Sequence, residues 1–364
     1  MPMDVGSPVL LVARGLDPVG TGRQVELAAV GLTAAGHDVA VAVTSAGGSL
    51  AERLTRAGLA VYRVGRRPAV DFGATMRLAR LARRLQPAAI VGFGRSALVP
   101  VAVCSRLVPG CRAVGWLGLE PRGFRQRAAL RRLAAVVAAS PRIAAACGAA
   151  GVAARRIAIV PPGITPDFGL SLRRDELAAR LGLDPAKQWT LAVAPLEPAA
   201  RLPRLLWAID QLGVVRKDLQ HLLVGAGPLL DQLRRRARAQ ELAERLFIVP
   251  ECEVLPDLLG EVRLVWQSGE VALGGAVLDA MARGVPTVAV ESDAARTLIG
   301  DGETGLIVPA VPESELPRRA FGILEDELLA RRAGSAAAAR AAGEFSAAPF
   351  VAGLLDAISR RDSR

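Results

Sequence analysis

Trp266-Gln267-Ser268-Gly269-Glu270-Val271-Ala272-Leu273-Gly274-Gly275-Ala276-Val277-Leu278-Asp279-Ala280-Met281-Ala282-Arg283-Gly284-Val285-Pro286 is the most informative stretch of the chain. An apolar run ends at Trp266, a glycine pair follows, and the residues from Ala276 to Arg283 have helical spacing. Gly284 and Pro286 then stop the helix, and an apolar run opens at Thr287. Strand, glycine turn, helix, strand is the grammar of a parallel sheet covered by helices. The glycine pair lets backbone approach a ligand. Asp279, about one turn into the helix, can accept hydrogen bonds from sugar hydroxyls, and the helix start near Gly274–Ala276 favours a diphosphate.

The same grammar extends in both directions. Upstream strand candidates are Val9–Ala13, Val39–Val43, Leu59–Val64, Ala88–Val91, Arg112–Trp116, Ala134–Ala138 and Ile157–Val160. In the second half they are Thr190–Ala194, Leu219–Val224, Leu246–Val249, Leu264–Trp266, Thr287–Val290 and Gly305–Val308. Helix candidates are Val25–Ala35, Ala74–Leu85, Leu202–Leu212, Leu229–Ala239, Ala276–Arg283, Glu313–Leu324 and Ala348–Arg360. Pro161, Pro162, Gly163 and Pro166 break both regular structures and mark a boundary in Pro161–Leu172. The expected organisation is α/β, with two doubly wound Rossmann-like domains facing a central cleft: 1–165, 173–346, and a C-terminal helix in 347–364 that returns to the first domain. In such sheets ligands bind beyond the carboxyl ends of the strands.

Bulk properties narrow the function. The 364 residues suffice for two domains, and 51% hydrophobic residues suffice for two buried sheets. Residues 1–170 hold 22 Arg against 8 Asp and Glu, a net of +14; the remainder holds 24 Arg and Lys against 27 Asp and Glu, a net of −3. A basic first half suits an anionic membrane surface, a phosphate-bearing substrate or nucleic acid. The near-total use of Arg over Lys, with so much Ala, equally fits a compositional bias. Aromatics at 4% and the lack of a recognised motif argue against nucleic acid. Two histidines, His37 and His221, are too few for a zinc site or a Ser-His-Asp triad. The four cysteines form no C-x-x-C pair and read as buried thiols in a reducing compartment. Neither 97–119 nor 133–154 reads as a membrane span, since Arg, Gly and Pro interrupt both. A cytoplasmic protein is expected; 122–132, basic and apolar by turns, reads either as a solvated arginine-rich helix face or as a place for peripheral contact with the inner membrane face.

Three further strand-to-helix junctions carry candidate binding groups. Gly20-Thr21-Gly22 follows the first strand, without the spacing of a dinucleotide fingerprint. Arg201 and Arg204 flank the start of a helix, where guanidinium groups can clamp phosphate. Gly225-Ala226-Gly227-Pro228 ends a strand in a tight turn, with Pro228 expected in the first helical turn.

In this order the segments resemble the retaining glycosyltransferases of family 4, which have the GT-B fold. Val160-Pro161-Pro162-Gly163-Ile164 with Phe168 resembles that family's V-P-N-G-x segment, Gly225–Pro228 its G-x-G-P turn, and Asp279–Pro286 its E-A-M-A-x-G-x-P-V signature. Asp301–Val308 resembles its D-G-x-T-G-x-L-V, and Gly36-His37-Asp38-Val39 its G-H-x-V, which places His37 at a structural junction. The resemblance implies an enzyme moving a sugar from a nucleotide-diphosphate sugar, as co-substrate, to a glycan or lipid-linked acceptor, with retention and with no metal or other cofactor. It implies donor-binding roles for Gly20, Gly22, Arg201, Arg204, Gly225, Gly227, Gly274, Gly275 and Asp279, and makes Asp279 and Glu270 the candidate catalytic carboxylates. The departures are specific. Asp279 stands at the second glutamate of the family's E-x(7)-E, but Val271 stands at the first. Pro195 and Ala200 stand where the family has the Arg and Lys that meet the diphosphate. The alternative reading is therefore a catalytically impaired relative that binds nucleotide or serves as a scaffold.

Overall fold

The computed structural model describes residues 6–17, 20–45, 50–65, 72–165, 172–250, 252 and 254–360. Pro166 and Phe168 lie outside them. By internal packing the chain divides into two units. The first comprises Met1–Ile164, Ala272–Gly274 and Phe345–Arg364; the second comprises Thr165–Val271 and Gly275–Glu344.

The first unit contains β1 (Pro8–Ala13), β2 (Asp38–Val43), β3 (Ala60–Arg63), β4 (Ala89–Phe93), β5 (Arg112–Leu117), β6 (Ala135–Ala138) and β7 (Ile157–Ile159), in sheet order β3-β2-β1-β4-β5-β6-β7. Every pairing is parallel. β1, β4 and β6 are sealed on both faces, which is why they read as continuous apolar runs. The C-terminal helix Ala347–Ser359 belongs to this unit. It inserts Phe350 edge-on against Trp116, with ring centroids 6.3 Å apart. Three glycines make room for it. A Cβ at Gly31 would lie 2.3 Å from Val351, one at Gly163 3.0 Å from Phe350, and one at Gly353 2.7 Å from Val160.

The second unit contains β8 (Gln188–Val193), β9 (Leu219–Val224), β10 (Leu246–Val249), β11 (Leu264–Gln267), β12 (Thr287–Val290) and β13 (Leu306–Val308), in sheet order β10-β9-β8-β11-β12-β13, again parallel throughout. Its sheet carries one buried polar layer. The Thr190 hydroxyl is hydrogen-bonded to His221 Nδ1 at 2.6 Å and accepts the Trp266 indole N–H at 2.8 Å. Desolvation, with Arg245 nearby, pushes the His221 pKa down to about 3, so the ring is neutral. The helix Glu327–Glu344 packs its Gly334 on the end of the helix Ala276–Ala282, where a Cβ would lie 1.9 Å from the Gly284 carbonyl oxygen. That long, alanine-rich helix was not among the expected elements. Pro228 also differs from expectation: the helix opens at Leu230, so the proline stands just before it.

The sheet orders define where ligands can sit. Connections leave β1 and β4 in opposite directions across the first sheet, and β8 and β11 do the same in the second. The loops after those strands are the switch points of doubly wound sheets. Among the described residues no helix is long and apolar enough to cross a membrane.

Candidate functional site

In the second unit the loops after β8, β9 and β11 are knitted together. Ala194 N–H donates to Val224 C=O at 3.1 Å and Leu196 N–H to Ala226 C=O at 3.0 Å, extending the ladder past the strand ends. Only glycines permit this. A Cβ at Gly225 would stand 1.9 Å from the Ala194 carbonyl oxygen, and one at Gly227 2.6 Å from that of Leu196. Across the switch point, the Ser268 hydroxyl donates to Ala200 C=O at 2.7 Å and Glu270 N–H to Ala199 C=O at 3.0 Å. Gly269 fits between them, since a Cβ would meet the Ala199 carbonyl oxygen at 2.5 Å. Gln267 Nε2 donates to Ser292 Oγ at 2.8 Å, which steadies the end of β11. Gly225, Gly227 and Glu270 are thus brought together around the loop 194–201.

The cations of that loop have different surroundings. Arg201 is exposed and caps the helix Leu202–Val215 in the left-handed conformation, φ 48°. Arg204, one turn further, is only 9% exposed; its Nε lies 3.4 Å from Glu313, and Nη1 is buried with no hydrogen-bond partner among the described residues. Pro195 is exposed and Ala200 buried, so neither substitutes for a cation. The helix Ala276–Ala282 begins at Gly275, which has no side-chain cap, and places Asp279 in its first turn, 3% exposed. Val271 and Glu270 are half-buried.

Gly20, Gly22 and Gly274 belong to the first unit. Gly20 opens the helix Thr21–Ala34 with φ 65°. At Gly22 a Cβ would strike the Asp17 backbone, 2.2 Å from its carbonyl oxygen, so this glycine closes the loop after β1 on the helix. Desolvation holds the Asp17 carboxyl above its ordinary range although the residue as a whole is exposed; Arg14 acts in the opposite sense. Gly274 rests on Gln24, whose buried side chain bonds to Gly163. Sequence reading passed over Gln24, Ser268 and Glu313. Gln24 gives no signal of its own in the sequence, because it stands among other polar residues at the helix start, Thr21, Arg23 and Glu26. His37 lies where helix Thr21–Ala34 hands over to β2, its N–H donating to Leu32 C=O at 3.1 Å. Among the described residues no group of three or more His, Cys, Asp or Glu is placed to hold a metal ion.

Two Rossmann-like units, with glycine-lined loops at the switch points of both sheets, define the GT-B class. The model of glycosyl transferases group 1 matches residues 173–340, and that of glycosyltransferase family 4 matches residues 18–168. The chain belongs to the group 1 glycosyltransferases of the GT-B fold. It is 29% identical over 195 residues to alpha-D-kanosaminyltransferase of Streptomyces kanamyceticus, a match covering 52% of this chain and 50% of the relative. It is 32% identical over 220 residues to D-inositol 3-phosphate glycosyltransferase of Nocardia farcinica, covering 56% and 47%. The matches thus span about half the length of these relatives. Among solved structures, Anabaena HepE in complex with UDP-glucose superposes with a TM-score of 0.80 at 18% identity, covering 96% of this chain and 98% of that one. The lipopolysaccharide glycosyltransferase WaaG superposes with a TM-score of 0.74 at 16% identity, covering 96% and 99%.

Proposed function

We propose that this chain transfers a sugar from a nucleotide-diphosphate sugar to a glycan or lipid-linked acceptor, with retention and without a metal or other cofactor. The observation that carries the reading is the knitted switch point of the second unit, in a chain whose family membership spans both units. The named relatives are glycosyltransferases, and HepE was crystallised with UDP-glucose. Arg201 neutralises the departing diphosphate, where an aimed cation lowers the barrier to leaving. Asp279 holds the ribose, and Glu270 is the second carboxylate. Backbone N–H groups of the Gly20–Gly22 and Gly274–Gly275 loops serve the diphosphate, Gly225 and Gly227 shape the turn beside it, and Arg204 assists from its seat on Glu313. Incubation with UDP-, GDP- and ADP-sugars and a panel of acceptors tests this. Release of one nucleoside diphosphate with an α-linked product, seen by proton NMR, is expected; hydrolysis alone or inversion would contradict it.

A second reading has its own observation. Pro195 is exposed and Ala200 buried where the resemblance calls for cations, and Val271 stands where it calls for a carboxylate. A chain that binds the nucleotide and turns over no donor fits that reading, which makes it a binding or scaffold protein.

We further propose a cytoplasmic protein that rests on the inner membrane face through residues 122–132. Phe124 is 78% exposed there, between Arg122 and Arg125. A basic segment with an exposed aromatic suits anionic lipid. Vesicles with anionic lipid should co-sediment the protein, and Glu at Arg125, Arg127, Arg131 and Arg132 should abolish it; unchanged sedimentation removes the idea.

A further inference from the structure

Gln24 is fully buried on the helix Thr21–Ala34, two residues beyond Gly22. A buried amide is costly unless its donor and acceptor are both met. Here Oε1 accepts the Gly163 N–H at 2.8 Å and Nε2 donates to the Gly163 C=O at 2.9 Å. One side chain thereby makes the paired exchange that a neighbouring strand makes. Beside it stands Gly274, with φ 85°. A Cβ there would lie 2.8 Å from Gln24 Nε2 and 3.0 Å from Pro162 Cβ. Leu273, 1% exposed, donates its N–H to Gly118 C=O at 3.0 Å. Next along the chain from Gly163, Ile164 N–H donates to Phe345 C=O at 2.7 Å and bridges to Ser346. The three segments that compose the first unit therefore meet around Gln24 and Gly163.

We propose that Gln24 is a positioning residue for donor binding. It clamps Pro162-Gly163, gives Gly274 its seat, and so fixes the strap Ala272–Gly274, whose next residue caps the helix bearing Asp279. The same side chain steadies the helical turn that Gly20–Gly22 opens. Two donor-binding loops from distant parts of the sequence are held in register by one buried amide. This rests on the donor-binding reading of those loops.

The test uses the full chain with Gln24→Leu, which removes both hydrogen bonds, and Gln24→Glu, which turns the donor into a second acceptor facing Gly163 C=O. Gly274→Ala attacks the same contact from the other side. Leu78→Ala, a fully buried core change on the helix Phe72–Leu85, supplies a matched loss of stability elsewhere in the unit. Amide hydrogen exchange at Gly163 and Leu273, melting temperature and calorimetric affinity for UDP, GDP and ADP are measured for each. The Gln24 and Gly274 variants should exchange faster at Gly163 and Leu273 and bind the nucleotide about tenfold more weakly, with Leu78→Ala binding as the wild type. Wild-type affinity in Gln24→Leu, or an equal loss in Leu78→Ala, overturns the proposal. If the wild type binds none of the nucleotides, the donor reading fails. Unchanged exchange at Gly163 and Leu273 would then still refute the clamp itself.

Discussion

Replacing Arg201 by glycine should make the protein more stable and a poorer binder of nucleotide. Arg201 caps the helix Leu202–Val215 with φ 48°, in the left-handed region. That conformation costs a residue with a Cβ roughly 1–2 kcal/mol, and glycine escapes the cost. Glycine also gives back about 0.5–1 kcal/mol through the greater freedom of its unfolded chain. The difference leaves a net gain of about 0.5–1 kcal/mol, because the exposed guanidinium makes little packing to lose. Binding should move the other way. A hydrogen bond to a charged group contributes about 1.5–3 kcal/mol, so its loss should weaken nucleoside diphosphate binding by about 10- to 100-fold. Screening lowers that figure in salt, since the group is exposed. Urea melts without ligand read the first effect, and calorimetry at low and moderate ionic strength reads the second. Strain held at a functional site predicts opposite signs in the two assays. A stability gain with unchanged affinity would refute the role of Arg201, and a stability loss would refute the strain.

Other consequences are equally direct. The His221 pKa is about 3 in the folded chain and near its ordinary value when unfolded, so the unfolded state takes up a proton first as pH falls. Stability should hold above about pH 6.5 and decline below it by up to about 1.4 kcal/mol per pH unit toward pH 3, and His221→Gln should flatten that slope in pH-dependent melts. Gly225→Ala forces a Cβ against the Ala194 carbonyl and should destabilise by about 2–4 kcal/mol. Gly322→Ala and Gly343→Ala place a Cβ in open space on helices and should each stabilise by about 0.5–1 kcal/mol. Burial raises the thiols of Cys104 and Cys147 to about 11 and that of Cys111 to about 12. Aromatic disulfide reagent at pH 8 should therefore label the native protein slowly, and all four cysteines promptly in denaturant.

The strands were legible because a strand buried on both faces needs apolar residues at every position, and β1, β4 and β6 show short unbroken runs of them. Helices with one wet face, such as Leu202–Val215, were legible by their spacing. The helix Leu98–Leu107 was hidden inside an apolar stretch that merges with β5, and the alanine-rich Glu327–Glu344 has no stripe for periodicity to find. At the candidate site, alternation alone placed the glycine loops between strand and helix and Asp279 near the start of a helix. What it could not give were contacts across long sequence separations. The seat of Arg204 on Glu313, the bonds of Ser268 and Glu270 to Ala199-Ala200, and the grip of Gln24 on Gly163 depend on which loops the sheet order makes neighbours.

The most direct measurement is calorimetric titration of the purified chain with UDP, GDP and ADP, alongside Asp279→Ala. Micromolar binding of one nucleotide, lost in the variant, is the result predicted for a working donor site at the β8–β11 switch point. Absence of binding to all three, or binding indifferent to Asp279, would contradict it.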